Sequence, residues 1–396
     1  MRENSITYVI GDKLPIVKPL PPYSEIVCDF LDELSKRLRR DKNNAQYTDI
    51  ISLAFWCRKN NIKRLKEQFQ AQYAIGRGLV FHITPSNVPI NFAFSYFFGL
   101  LSGNSNIVRI PQKDYPQIQI ICNEINRVLN LEEYKMLKEM TLFVSYGRDD
   151  ELTEYYSSIC DGRIIWGGDK AIKNIRKFSL KERAVEVVFA DRYSFALIDI
   201  ETILRMDDKQ RLELAQKFYN DTYLMDQNAC STPHLIIWQG ADEEKKKRAQ
   251  ELFWKSIYQI AAQYDLADIK AVDKYTSLCQ FAMEADYIKE IQKYDNLLYR
   301  IELNYLTEDL SVLRGQYGMF FEYYISQLEE LKDKITSKVQ TVTYVGINPE
   351  CIIKFIQECH LTGIDRIVPM GEALNIDVYW DGYDIIGQLI RYIEVR

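Results

Sequence analysis

From Gly78 onward the chain alternates short β-rich runs with helical stretches, and that alternation restricts its fold more than any other feature. The runs "LVFHI" (79–83), "NIVRI" (106–110), "TLFVSY" (141–146), "RIIWGG" (163–168), "VEVVFA" (185–190) and "SFALID" (194–199) are separated by helical segments near 90–101, 115–129 and 169–178. Nearly continuous apolar strands with helices between them predict βαβ units and a mostly parallel sheet covered on both faces. The second half repeats the theme more loosely, with "HLIIW" (234–238), a helical stretch from 241 to about 300, and strands at "YGMFFEYYI" (317–325), "VQTVTYVG" (339–346) and "IDRIVPMG" (364–371). Ahead of the first sheet, residues 20 to about 72 read as packing helices; "YSEIVCDFLDELSKRLR" puts Ile26, Phe30, Leu31 and Leu34 on one face. At 396 residues the chain has room for two or three domains.

Charge and cysteine usage remove whole classes of function. The net charge of −6 comes from interspersed acids and bases, which gives no basic face for a phosphate backbone, so nucleic acid is not an expected partner. Eight cysteines are scattered without a C-x-x-C pair or a histidine at metal-ligand spacing, so they read as reduced cytosolic thiols and no metal site is expected. The N-terminal segment lacks an apolar run of signal-peptide length after its charges, and "INFAFSYFFGLL" (90–101) is too short to span a bilayer; a buried helix and a cytoplasmic protein are expected. The charge run "DEEKKKR" (242–248) is read as the solvated opening of a helix, acids first and bases after, as the helix dipole favours.

Only three histidines are present. His82 lies inside an apolar strand and reads as a core residue, and His360 ends a helix. His234 stands four residues after Cys230, but Pro233 intervenes before an extended run, so a Cys-His pair is not favoured. Four other segments carry chemistry only in combination. In "HITPSNVP" a strand stops at Thr84-Pro85, and Asn87 sits where open α/β sheets bind ligands, either as a donor to a developing oxyanion or as a turn asparagine. In "GLLSGNSNIVRIP" a strand ends at Arg109, a surface ion-pair partner or a match for a ribose phosphate. In "IIWGGDKAI" a strand ends at Gly167-Gly168 before a helix, where the backbone can approach phosphate or simply turn. In "LMDQNACSTPH" Cys230 precedes a strand, either as a nucleophile or as an ordinary buried thiol.

Taken in order, these motifs, together with "RGQYGMFFEYYI" and "GIDRIVPMGEALNIDVYWDGYDII", resemble the aldehyde dehydrogenase superfamily and, within it, the long-chain acyl-CoA reductases of the bacterial luminescence (LuxC) type; the likeness runs from about Gly78 to Tyr383. It implies an α/β fold of the aldehyde-dehydrogenase kind, with a Rossmann-type NADP-binding domain plus N-terminal helices over 1–222, a second α/β catalytic domain over 223–372, and a tail, 373–396, packing back. It further implies Cys230 as the nucleophile that forms a thioester, with Asn87 and the Cys230 N–H holding the oxyanion. Thr84, Pro85, Arg109, Gly167 and Gly168 are implied as cofactor-binding residues. Arg109 replaces the superfamily's usual ribose-contacting lysine and so suits the 2′-phosphate of NADPH. The expected reaction is NADPH-dependent reduction of an acyl-CoA or acyl-carrier thioester to an aldehyde, in a superfamily whose members are commonly oligomeric. The sequence departs from aldehyde-oxidising relatives at Val188, which stands where they carry a water-activating glutamate. Glu186 lies two residues earlier on the same strand face. The motif that binds the nicotinamide ribose is not clear, and Glu322 lies near its place. A cysteine acyltransferase or thioesterase without nicotinamide, or an idle family member, remains the alternative.

Overall fold

A computed structural model describes residues 6–71, 73–86, 88–284 and 286–396, and the chain divides into two compact units, 1–190 with 378–396 and 191–377. In the first unit six strands are ordered Thr7–Ile10, Thr141–Ser145, Ser105–Arg109, Leu79–Ile83, Gly162–Trp166 and Val185–Phe189. All pairs are parallel except the edge pair made by Thr7–Ile10, a strand the sequence pattern did not reveal. Every residue of Leu79–Ile83 and of Gly162–Trp166 is buried, as a sheet covered on both faces demands. The helix Asn91–Leu101 follows the central strand and buries ten of its eleven residues. The helices Glu25–Arg40, Thr48–Trp56 and Lys59–Gln68 form the expected N-terminal packing group, and Val27, Phe30, Leu31, Leu34 and Leu38 are buried from the first of them.

The second unit holds seven strands in the order Ile288–Tyr294, Leu298–Leu303, Met319–Ile325, Pro233–Gln239, Tyr193–Asp199, Val339–Val345 and Arg366–Pro369. Only the Ile288–Tyr294 edge is antiparallel to its neighbour. One face packs Leu235, Ile237, Ile301 and Phe321, and the other packs Ile236, Trp238, Phe253, Trp254 and Phe320, so the strands alternate between two cores.

The compact units divide elsewhere than the expected boundary at 222. Tyr193–Asp199 pairs with Pro233–Gln239 and Val339–Val345, so residues 191–222 belong to the second unit, which runs on to 377. The helical expectation for 241 to about 300 is corrected as well. Helices Glu243–Ala261 and Asp268–Glu284 are followed by a hairpin, Ile288–Tyr294 with Leu298–Leu303, turned at Asp295 with φ of +50°. Nor is the charge run solvated throughout, because Lys246 is buried and pairs with Glu302 at 2.8 Å. No helix among the described residues is long and apolar enough to cross a membrane, and none of their His, Cys, Asp and Glu side chains cluster as a metal site would need.

Candidate active site

In the first sheet the chain runs outward from Leu79–Ile83 through Ser105–Arg109 to Thr141–Ser145, then returns to lay Gly162–Trp166 on the other side of the starting strand. That reversal opens a crevice at the carboxyl ends of the strands, where open α/β sheets bind ligands. A cavity of about 710 Å³ occupies it. Ile83, Thr84, Pro85 and Ser86 line it from the central strand, Arg109 to Lys113 from the next, Tyr146 and Arg148 from the third, and Trp166, Gly167 and Gly168 from the strand across the switch. The structure therefore brings Thr84, Pro85, Arg109, Gly167 and Gly168 together around one cavity. Asn87 lies outside the described residues.

Arg109 is half-buried and fixed in three ways. Its Nη2 donates to the carbonyls of Gly147 at 2.8 Å and Tyr146 at 3.3 Å, and its guanidinium carbon lies 4.5 Å from the centroid of the Tyr146 ring. The Thr84 hydroxyl donates to the Arg109 carbonyl at 2.7 Å, tying the two strand ends together. A planar cation presented in this way keeps its remaining donors in a set orientation, which suits a phosphate group. Lys113, Arg148 and Lys177 add three further cations to the lining, against Asp149 and Asp150. The Asp149 carboxylate is engaged as a helix cap, accepting from the Leu152 N–H at 2.9 Å. A Cβ placed on Gly168 would meet no atom within 4 Å, so the turn leaves open room beside the first amides of helix Asp169–Ile175. Room at the backbone and an excess of cations fit the pyrophosphate and ribose of a nicotinamide dinucleotide. Lys113 and Arg148 escaped sequence reasoning, although they follow the strand runs ending in "RI" and "SY"; Lys177 follows helix Asp169–Ile175 beside Arg176 and reads as part of a charged helix end.

Glu186 is not a free base. It lies directly beside Arg163 on the neighbouring strand, accepting from its Nε at 2.9 Å and from the Arg176 Nε at 2.7 Å. Val188 packs against an apolar cluster that includes Leu79, Phe81 and Ile165. His82 is a buried core residue as read. Its ring nitrogens meet the Ser95 hydroxyl at 2.8 Å and the Asn106 side-chain oxygen at 2.9 Å, and burial lowers its pKa to about 4.

In the second unit Cys230 lies on the turn between helix Asp208–Thr222 and strand Pro233–Gln239. It is half-buried, whereas Cys57, Cys122 and Cys160 are buried and burial raises their thiol pKa values. Asp226 and Gln227, four and three residues before it, both adopt left-handed backbone, with φ of +53° and +60°. Such conformations cost non-glycine residues free energy and persist where side chains hold them. Here the Asp226 carboxylate pairs with Lys270 at 2.9 Å and accepts from the Tyr264 hydroxyl. The buried Gln227 amide accepts from the Gly318 N–H at 2.7 Å and donates to the Met319 carbonyl at 3.1 Å. His234 is buried, stacks on Tyr193 at 5.7 Å, and donates from Nδ1 to the Gly315 carbonyl at 2.9 Å. Burial and the Arg314 charge lower its pKa to about 3, which makes it a poor base.

Glu322 is 1% exposed and fully engaged. It accepts from Trp238 Nε1 at 2.8 Å, Trp254 Nε1 at 2.7 Å, Gln250 Nε2 at 3.0 Å and Arg300 Nε at 2.8 Å. It is a core carboxylate, committed to these four donors.

Solved structures of aldehyde dehydrogenases share this architecture. One from Physcomitrella patens has a TM-score of 0.65 at 11% identity, covering 92% of this chain and 84% of its own. A NAD-dependent benzaldehyde dehydrogenase from Corynebacterium glutamicum has a TM-score of 0.61 at 10% identity, covering 95% and 86%. The fold is that of the aldehyde dehydrogenases. Within it, the chain belongs to the acyl-CoA reductase (LuxC) family, whose model matches residues 17–392. A long-chain acyl-protein thioester reductase from Vibrio harveyi is 24% identical over 312 residues, which cover 75% of this chain and 59% of that protein.

Proposed function

We propose that the chain reduces a fatty acyl thioester, carried by coenzyme A or an acyl carrier, to an aldehyde with NADPH. The observation that carries this is the cavity at the switch point of the first sheet, with Arg109 fixed at its edge and the Gly167-Gly168 turn open beside it, in a chain of the acyl-CoA reductase family. The name of the Vibrio harveyi relative supports an acyl thioester as substrate.

In this reading the Cys230 thiolate attacks the acyl carbonyl, and a thiolate of similar basicity leaves, so acyl transfer is nearly thermoneutral. The Cys230 N–H and the Asn87 amide are assigned to the carbonyl oxygen as it gains charge. A nicotinamide dinucleotide bound in the cavity would supply the hydride. Collapse of the reduced adduct expels the aldehyde and restores the Cys230 thiolate. Thr84, Pro85, Gly167 and Gly168 are assigned to the cofactor, and Arg109 to its 2′-phosphate. The engaged Glu186, the apolar Val188 and the weakly basic His234 support an enzyme that does not activate water.

NADPH loss followed over a panel of acyl-CoA chain lengths tests the proposal, with Cys230→Ala as the control. Acyl-dependent oxidation in the wild type and none in the variant is expected. Equal rates in the two proteins would refute the cysteine mechanism. Acyl transfer to water with no bound nicotinamide would identify a thioesterase instead.

A further inference from the structure

Deepening that reading, we infer that Ser194 is a positioning residue for Cys230, holding the nucleophile's turn in the geometry that acyl transfer requires. Two peptide planes flank Cys230, and each is anchored through its carbonyl. The Ala229 carbonyl, whose peptide carries the Cys230 N–H, accepts from the Thr232 N–H at 3.0 Å. The Cys230 carbonyl accepts from the Ser194 hydroxyl at 2.7 Å. Ser194 is completely buried on the adjacent strand Tyr193–Asp199, and its oxygen in turn accepts from the Thr341 N–H at 3.1 Å. The serine hydroxyl thus bridges strand Val339–Val345, its own strand and the cysteine turn within one sheet. The Thr232 hydroxyl closes the other side by donating to the Asp221 carbonyl at 2.9 Å.

The arrangement has a chemical consequence. Of the two donors assigned to the oxyanion, the Cys230 N–H is a backbone group that no side-chain rotamer can re-aim; its direction is set by the peptides on either side of Cys230. With no glycine between Asp226 and His234, the turn depends on these contacts for its shape. In this role Ser194 acts through the backbone of Cys230, by way of the carbonyl it holds.

The test separates the intrinsic reactivity of the thiol from its alignment. Acyl-enzyme formation from an acyl-CoA without NADPH is timed by intact mass, and alkylation of Cys230 by iodoacetamide is timed in parallel, for wild type, Ser194→Ala and Ser194→Thr. Misalignment of a reacting group costs on the order of ten- to a hundredfold. Ser194→Ala is expected to slow acylation by that factor, to change half-saturation by acyl-CoA by less than about twofold, and to leave alkylation near the wild-type rate, because alkylation needs no oxyanion donor. Ser194→Thr, which keeps the hydroxyl, is expected to restore most of the acylation rate. Wild-type acylation by Ser194→Ala, or parallel loss of acylation and alkylation, would overturn the inference. Should Ser194→Ala fail to fold, Thr232→Val removes a hydroxyl at nearly constant shape and is read against the same two rates. Failure of the wild type itself to form an acyl-enzyme would instead refute the proposed function on which the inference rests.

Discussion

At the scale of single residues, the chemistry assigned here depends on which polar groups are already committed. Glu186 and Glu322 both stand near positions where relatives place functional glutamates, and the structure gives both to arginines. Sequence alone left them open, because a carboxylate shows no sign of its partner when that partner lies 22 or 23 positions away in the chain. Arg109 is the opposite case. Its strand-end position was legible, but the Tyr146 face and the Gly147 carbonyl that aim it were not, since they come from another strand. A charge-assisted hydrogen bond contributes about 1.5–3 kcal/mol. Arg109→Ala should therefore raise KM for NADPH about ten- to a hundredfold, with a much smaller change for NADH, as initial rates with the two cofactors would show. An equal loss for both would remove the 2′-phosphate from its role.

At the scale of elements, alternation of apolar strands and helices made the first sheet legible nearly strand by strand. It missed the edge strand Thr7–Ile10 and the hairpin Ile288–Tyr294 with Leu298–Leu303, whose first strand is neither apolar nor buried. Ile288–Tyr294, "IKEIQKY", is an antiparallel edge whose charges prolong the helical pattern before it, and the only local warning was the "YDN" turn that follows. Buried carboxylates were equally hard to foresee. Glu322 joins helix Glu243–Ala261, through Gln250 and Trp254, to strands Leu298–Leu303 and Pro233–Gln239. Removing one partner of a buried ion pair costs about 3–5 kcal/mol, because the other charge stays behind uncompensated. Glu322→Ala should lose stability of that order in urea unfolding. Any Glu322→Gln protein that folds should keep the wild-type KM for NADPH; a specific rise would return the residue to the cofactor.

At the scale of the whole molecule, one buried carboxylate should shape the pH dependence of stability. Asp221 accepts from the N–H groups of Gly371 at 2.6 Å and Ala373 at 2.9 Å, one on each oxygen, and burial raises its pKa from 3.8 to about 7. Between those values the folded chain holds a proton that the unfolded chain releases, so this group's contribution to stability falls as pH rises from about 4 to about 7 and is level above that. Asp221→Asn should lack that slope. It should also lose about 1–3 kcal/mol, since its amide nitrogen cannot accept from the second N–H. Urea unfolding of both proteins across this range reads both effects, and identical slopes would contradict the assignment. The proposed function rests on Cys230 carrying the acyl group on its way to aldehyde. Its most direct test is the intact mass of the protein mixed with acyl-CoA, before and after NADPH is added. One acyl adduct, mapped to Cys230, is expected; it should be stable until NADPH arrives and then disappear as free aldehyde forms. Aldehyde formation without an adduct, or an adduct that NADPH leaves untouched, would contradict it.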